Sequence, residues 1–481
     1  MKRISKNIVA LLLLGAICLG SASCAVDGVK EPEDTTIAEE TEKETETEAV
    51  EDTTEEVTEA ETEEDEADAD LVTVRMPRFD ITYFYGPHND QMVDEYFYQM
   101  IAEAGFTAIP LEYGNTELNK QALPLLRKYG LVCCELSDSR IRALIDADPS
   151  TYDIPQEEVD RIIAEVVADY AEHLDIVEGW GLKDEPNLEK FKILAKIVKA
   201  FKKLTPDKST MINLFPIYAW GMLGTDTYQE YLDEFVKQVE PHYLSYDHYH
   251  FFADGTTRND FFTNLEMVRD KAKESDIDPM IIVLLTKHMN YADVTYDQIE
   301  WEVNTSLTYG MKRISYFTFI LEQYLLDDGW TNACMSYTGE VWPHYYDVQA
   351  INKWLLPLGT ELFDKESVAV FHLKDRQKSD LEPECEEYTP YGDLGAVNGN
   401  NFVIGFFDDG SFMITNKIWR ENDGKYNSFV FKDIDSGLEY FDTESATWRD
   451  AEADGIVTRN SYGKLSRKFN VAEGILFRVS K

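Results

Sequence analysis

An Asp-Glu pair locked in front of a proline is the part of this 481-residue chain best equipped for acid–base chemistry. It closes the stretch V-E-G-W-G-L-K-D-E-P-N, residues 177–187, where a strand-like start runs into Asp184, Glu185 and Pro186. Proline fixes its own φ and biases the residue before it towards extended backbone, so Glu185 is predicted at a strand end. Period-2 alternation places Gly179, Gly181, Lys183 and Glu185 on one face, with the two glycines leaving open space beside the carboxylate. A neighbouring carboxylate raises the pKa of Glu185 by like-charge repulsion, which suits a group that donates a proton near neutral pH. Glu185 is therefore predicted to be a general acid/base. The competing reading makes the pair a favourable charge at the N-terminus of a helix starting near Leu188.

Such a group needs a scaffold, and from about Arg75 the chain alternates strand and helix patterns. Strand-like runs fall at 79–85, 106–112, 131–136, 177–185, 209–218, 243–251, 280–286 and 313–319. Helical patterns separate them at 91–104, 116–129, 155–173, 188–204, 227–239, 259–275 and 296–309, with stops at glycines such as Gly105, Gly130 and Gly310. These alternations predict an α/β fold, a (β/α)8 TIM barrel over residues 73–360, which presents chemical groups at the C-terminal ends of its strands. An open doubly wound sheet is the alternative, but no Gly-rich phosphate loop follows an early strand. Residues 361–481 carry short alternating runs at 401–407, 411–416, 428–431, 438–440 and 474–479, separated by turn pairs such as Asp409-Gly410. They predict a small antiparallel β-sandwich, an accessory scaffold or a sugar binder in its own right.

The formal charge of −46 is unevenly spread: residues 31–70 hold 21 acidic side chains against one lysine, and residues 71–481 carry −29. Such a surface repels nucleic acid and anionic lipid and fits a neutral substrate better than a polyanion. Residues 1–24 read as an export signal, with Lys2, Arg3 and Lys6 ahead of an apolar run at 8–19. Ser21-Ala22-Ser23-Cys24 resembles a bacterial lipoprotein signal, with Ser21 where that signal prefers Leu; the resemblance implies lipidation of Cys24. The expected location is the bacterial cell surface, lipid-anchored in the membrane, or the secreted fraction. Residues 25–72 are almost all Glu, Thr, Asp and Ala, a composition that predicts a disordered acidic linker. Adjacent Cys133 and Cys134 lie in an apolar strand and read as buried small hydrophobes. There is no CxxC pair and no metal-ligand set in the sequence, so neither metal nor cofactor is expected.

Glu-Pro at the end of the fourth strand of such a barrel resembles the Asn-Glu-Pro motif of clan A glycoside hydrolases. L-S-Y-D-H-Y-H-F at 244–251 and Y-G-M-K-R-I-S-Y-F-T-F at 309–319 are similar to stretches of family 42 β-galactosidases. The trailing sandwich, ending F-N-V-A-E-G-I-L-F-R-V, is usual for extracellular glycosidases. The resemblance covers residues 79–481 and implies hydrolysis of O-glycosidic bonds in an oligo- or polysaccharide, with Glu185 as acid/base. Two departures stand out. Asp184 replaces the Asn that in the clan bonds the sugar 2-hydroxyl, a role an Asp can still fill as acceptor. The seventh strand ends V-L-L-T-K-H, without the Glu that serves the clan as nucleophile.

Glycoside hydrolysis generally uses two carboxyl groups, roughly 5–5.5 Å apart for retention and about 6.5–9.5 Å for inversion. Candidates for the partner of Glu185 are Asp247 and Glu322, ranked level, with Glu112 and Glu135 behind them. Alternatively, Asp184 assists a substrate N-acetyl group while Glu185 is the acid. Asp184, Asn187 and Glu112 are candidates for sugar contact through polar groups, and Tyr83, Tyr85, Trp180, Tyr249 and Tyr316 through rings. His248 shares a strand face with His250, and contact with packing or sugar is favoured there over zinc. Aromatics on strands are more often core than platforms, so Tyr83, Tyr85 and Trp330, in or beside strand-end loops, carry the better case for stacking. The rival from another class is a non-catalytic carbohydrate-capture lipoprotein on a degenerate hydrolase barrel.

Overall fold

Eight parallel strands form where the apolar runs predict them. The computed structural model describes residues 75–375, 380–420, 427–434 and 436–480. The strands are β1 (Asp80–Phe84), β2 (Ala108–Gly114), β3 (Val132–Asp138), β4 (Gly179–Asp184), β5 (Ser209–Leu214), β6 (Tyr243–Asp247), β7 (Asp278–Leu284) and β8 (Arg313–Phe317). They pair in the order β1-β8-β7-β6-β5-β4-β3-β2. The seam between β1 and β2 is bridged by Thr107, whose N–H donates to Ile81 O at 3.1 Å while its Oγ1 accepts from Ile81 N at 3.0 Å. The export signal, Cys24 and the acidic linker lie outside the described residues.

Helices follow the strands: α1 (Glu95–Glu103), α2 (Thr116–Tyr129), α3 (Ser139–Ile145), α4 (Gln156–Asp169), α5 (Leu188–Leu204), α6 (Tyr228–Val239), α7 (Phe261–Glu274), α8 (Tyr296–Thr308), the short α9 (Gln323–Asp327) and α10 (Pro343–Phe363). Their ends follow local chemistry. Asn115 caps α2 through its side chain and Gly130 closes it at φ 70°, and Thr227 with Glu230 makes a capping box at α6. Two strands stop short of their apolar runs. Pro216 has no N–H for the ladder, so β5 ends at Leu214, and residues 248–251 leave β6 for a loop. The helix predicted at 155–173 is α4 plus a 3-10 turn, and α3, α9 and α10 carry no prediction from sequence; α10 runs through residue 360.

The barrel floor is apolar, with Met76, Met211, Tyr243, Met280 and Ile282 packed inside. Beside them Arg313 donates to Asp80 at 3.3 Å, a fully enclosed ion pair. After β8, β9 (Ile320–Leu321) and β10 (Met335–Ser336) form a short parallel pair, and the two C-terminal sheets are antiparallel. One sheet holds β11 (Ser367–Leu373), β13 (Phe402–Phe407), β14 (Phe412–Asn416), β20 (Gly474–Val479), β16 (Leu438–Asp442) and β17 (Thr447–Asp450), in that spatial order. The other holds β12 (Val397–Asn398), β15 (Asn427–Phe431), β19 (Leu465–Phe469) and β18 (Thr458–Arg459). Phe402, Phe412, Phe429, Phe431, Phe469 and Phe477 fill the space they enclose. The larger sheet lies on α8: Thr308 Oγ1 and Thr415 Oγ1 are 2.7 Å apart and Asn304 Nδ2 donates to Ala472 O at 3.0 Å. This approach requires Gly405, where a Cβ would sit 1.8 Å from Thr308 O.

Candidate active site

At the end of β4 one extra residue overturns the simple alternation. Gly181 pairs with Met211, but Lys183 pairs with Ile212 and Asp184 with Asn213, so Leu182 is an insertion on the β4 side of the ladder. The bulge flips the parity of everything after it. Asp184, not Lys183, joins the inward row beside Asn213, and Lys183 turns away to Asp146 at 3.1 Å. The two glycines do not leave open space either. A Cβ on Gly179 would lie 2.2 Å from Cys134 O and one on Gly181 would lie 2.9 Å from Ser137 Oγ, so both are small because β3 packs against them.

Glu185 stands just beyond the strand, and its backbone is left-handed at φ 48° rather than extended. A non-glycine residue there costs about 1–2 kcal/mol. Three contacts hold the turn: Glu185 N donates to Asn213 O at 2.8 Å, Tyr231 Oη to Pro186 O at 2.6 Å, and Leu188 N to Leu223 O at 2.9 Å. These outweigh the extended bias exerted by Pro186 and swing the Glu185 side chain over the barrel mouth.

Three carboxyl groups meet there. Asn213 Nδ2 donates to Asp184 Oδ1 at 3.1 Å and to Asp247 Oδ1 at 2.9 Å. Its Oδ1 accepts from Ser245 Oγ at 2.9 Å, which sets the orientation of the amide. Burial first, and then the charge of Asp184, push the Asp247 carboxyl up to about 7. Glu185 is driven well above the ordinary carboxylate range by burial and by the charges of Asp247 and Asp184. Asp184 is also raised, by burial, against the opposing effect of Asn213 and Lys183. Asp184 still shows surface to the opening, so it is reachable by solvent although protein surrounds it on the other sides. Burial and mutual charge thus favour the protonated forms of all three over those of ordinary carboxyls.

Glu112 and Glu135 lie in the same field. Burial lifts Glu135 to about 8, and it raises Glu112 as well; the charge of Asp184 adds to both. Glu322 follows β8, where its Oε1 meets His88 Nε2 at 2.7 Å. His288 after β7 is held near 4 by burial and stays neutral, its Nδ1 2.8 Å from Thr286 O. β7 delivers Thr286, Lys287 and His288 to the mouth and no carboxylate.

The aromatic candidates divide. Tyr85 lies within the field of Asp184 and Glu185 and is 37% exposed. Tyr249 lies within the field of Asp247 and packs on His288, Tyr291 and Phe317. Trp330 stands against His288, with ring centres 4.7 Å apart. Three others are corrected, because strand parity turns them to the helix layer. Tyr83 stacks on Phe319, Trp180 stacks on Phe201 and donates to Thr205, and Tyr316 donates to Asn352 of α10 at 2.9 Å. All three are buried. His248 is likewise enclosed, with Nε2 3.0 Å from Asp260 Oδ1. Asn187 occupies the N-cap position of α5 without capping it, and its buried Oδ1 has no hydrogen-bond partner among the described residues.

The sequence reading missed Asn213, Tyr218 and Arg258. Arg258 lies 3.4 Å from the centre of the Tyr218 ring and donates to Tyr291 Oη at 2.9 Å, where its charge opposes the rise at Asp247. Asn213 left a signal: it is a polar residue in the otherwise apolar M-I-N-L run of β5, at a strand end. Among the described residues no group of three or more His, Cys, Asp or Glu could hold a metal ion.

No family model matches the chain, and no curated protein matches it either. Solved structures do. A catalytic mutant of a GH42 beta-galactosidase from G. stearothermophilus superimposes with a TM-score of 0.56 at 7% identity, over 85% of this chain and 99% of that one. Beta-galactosidases from Marinomonas ef1 and from Bacillus circulans sp. alkalophilus match with TM-scores of 0.44 and 0.45, at 10% and 12% identity and over 60% of this chain. This chain spans 62% and 58% of the length of those two. The barrel and the sandwich together therefore have the fold of a family 42 glycoside hydrolase.

Proposed function

We propose that this protein hydrolyses O-glycosidic bonds of a neutral glycan, with Glu185 as the general acid/base and Asp247 as the second carboxyl group. The observation that carries this reading is the meeting of Asp184, Glu185 and Asp247 in one water-accessible mouth, two of them on a single Asn213 amide. Burial and neighbouring charge raise Glu185 well above the ordinary carboxylate range and so favour its protonated form, whose proton goes to the leaving oxygen as the glycosidic bond lengthens. Asp247, once ionised, faces the sugar carbon that develops positive charge, either as nucleophile or as base for a water. Asp184 accepts from a sugar hydroxyl. Tyr85 and Tyr249 offer faces to separate sugar units, and the −29 of residues 71–481 favours an uncharged ligand.

The deciding experiment compares the full chain with Glu185→Gln on natural disaccharides and on aryl glycosides whose phenol leaves without protonation. Loss of turnover on the disaccharides by at least about 100-fold, with a smaller loss on the activated aryl glycosides, is expected for a general acid. Equal losses on both substrates overturn that role. The missing carboxylate after β7 favours a second reading, a carbohydrate-capture protein; binding without turnover by the wild-type chain would establish it in place of hydrolysis. We further propose export to the bacterial surface, with lipid carried on Cys24.

A further inference from the structure

Trp220 is 65% exposed, which is unusual for the largest apolar side chain. It is not carried on a loose segment. In the β5–α6 loop, Ala219 N donates to Pro216 O at 3.0 Å and Met222 N to Ala219 O at 2.8 Å, while Ile217 N donates to Asn264 Oδ1 at 2.9 Å. Leu223 O then receives Leu188 N, which ties this loop to the turn that carries Glu185. The indole is held out to solvent by an ordered backbone in the loop after β5.

Other exposed rings sit on the same end of the barrel. Tyr85 directly follows β1, and Tyr324, 39% exposed, lies on α9 after β8. The two phenols lie within each other's field, and β1 and β8 are neighbours in the sheet. β5 is four strands from β1 by either route around the barrel, so it stands opposite. Eight strands at about 4.8 Å spacing and roughly 36° tilt close into a ring about 15 Å across. One sugar ring cannot touch both rims of that opening. β4 and β6, which carry the carboxyl cluster, flank β5, the strand that leads into the Trp220 loop.

We propose that Trp220 on one rim, and Tyr85 with Tyr324 on the other, are stacking platforms for a neutral glycan of several units that lies across the mouth and is cut internally. The proposal rests on the hydrolytic reading above and adds the substrate class, a chain rather than a terminal sugar. Stacking suits these residues because the apolar face of a pyranose covers ring area that water solvates poorly, while its hydroxyls remain free for Asp184.

The test uses the full chain with cello-, xylo- and galactohexaose labelled at the reducing end, beside the corresponding aryl monoglycosides. Early products of intermediate length are expected. In Trp220→Ala the ratio of hexaose to aryl monoglycoside turnover is expected to fall about tenfold, the loss typical when an aromatic anchor is truncated. Stepwise release of single sugars by the wild type, or an unchanged ratio in Trp220→Ala, overturns the platforms while leaving hydrolysis standing. Binding of a hexaose that Trp220→Ala weakens, with no turnover by the wild type, overturns hydrolysis and keeps the platforms. Neither binding nor turnover of any of these glycans overturns both. Thermal unfolding of Trp220→Ala at the wild-type temperature shows that the side chain acts on ligand, as its exposure requires.

Discussion

Asp247→Asn is expected to stabilise this protein at alkaline pH. The Asp247 carboxyl is displaced from 3.8 to about 7. A group raised in this way contributes its full stability at pH values below the unfolded pKa and loses it as the pH rises through the folded one. A displacement of this size is worth about 4 kcal/mol against the anion. Asp184 supplies part of the rise and is itself displaced, so the two titrate as a pair and about half, ~2 kcal/mol, belongs to Asp247 alone. An Asn at this position keeps an acceptor for Asn213 Nδ2 and carries no charge. About 400 folded residues at ~2.1 cal/mol/K each gain ~0.85 kcal/mol/K of entropy on unfolding, so the added stability corresponds to roughly 2–3 °C in Tm. Calorimetry of the wild type and variant at pH 8 and pH 4.5 measures it. The variant should melt higher at pH 8, with the difference largely gone at pH 4.5. A variant that melts lower at pH 8, or by the same margin at both pH values, would refute the claim that Asp247 is a strained anion.

Asp184→Asn removes the charge that helps to raise Asp247, so the acidic limb of the pH–rate profile should move to lower pH; an unmoved limb would separate Asp184 from the titrating group. Gly405→Ala forces a methyl against Thr308 O and should cost about 1–3 kcal/mol in urea unfolding, since backbone on both sides cannot yield. Cys24→Ser should abolish incorporation of labelled fatty acid into the full chain and release it from the membrane fraction; labelling that survives the change would place lipid elsewhere, and an unlabelled wild type would rule it out.

Much of the architecture was legible because its causes are local. The apolar period of each segment, the capping of α2 by Asn115 and Gly130, and the capping box of α6 are set within a few residues, so they can be read without knowing what packs against them. Their alternation is enough for a (β/α)8 barrel, and the end of the fourth strand is then the place to look for chemistry. The Asp-Glu-Pro step could be found by that route, and so could Asp247 at the end of β6.

The orientation of those groups was decided elsewhere. Whether Leu182 is paired or bulged depends on how β4 registers against β5, a choice made by a strand about thirty residues away. Once the bulge forms, Asp184 points inward, and Glu185 is bent to φ 48° by bonds to Asn213 and by the Tyr231 grip on Pro186. The same dependence removes Tyr83, Trp180 and Tyr316 from the mouth, since strand parity gives two faces and only closure of the barrel says which is inside. Asn213 becomes the link between two carboxyls because β4, β5 and β6 lie side by side. Sequence alone determined which residue types could exchange protons and the elements that carry them. Tertiary structure decided which of them share a proton field, because pairing register and burial are properties of neighbours that lie far apart along the chain.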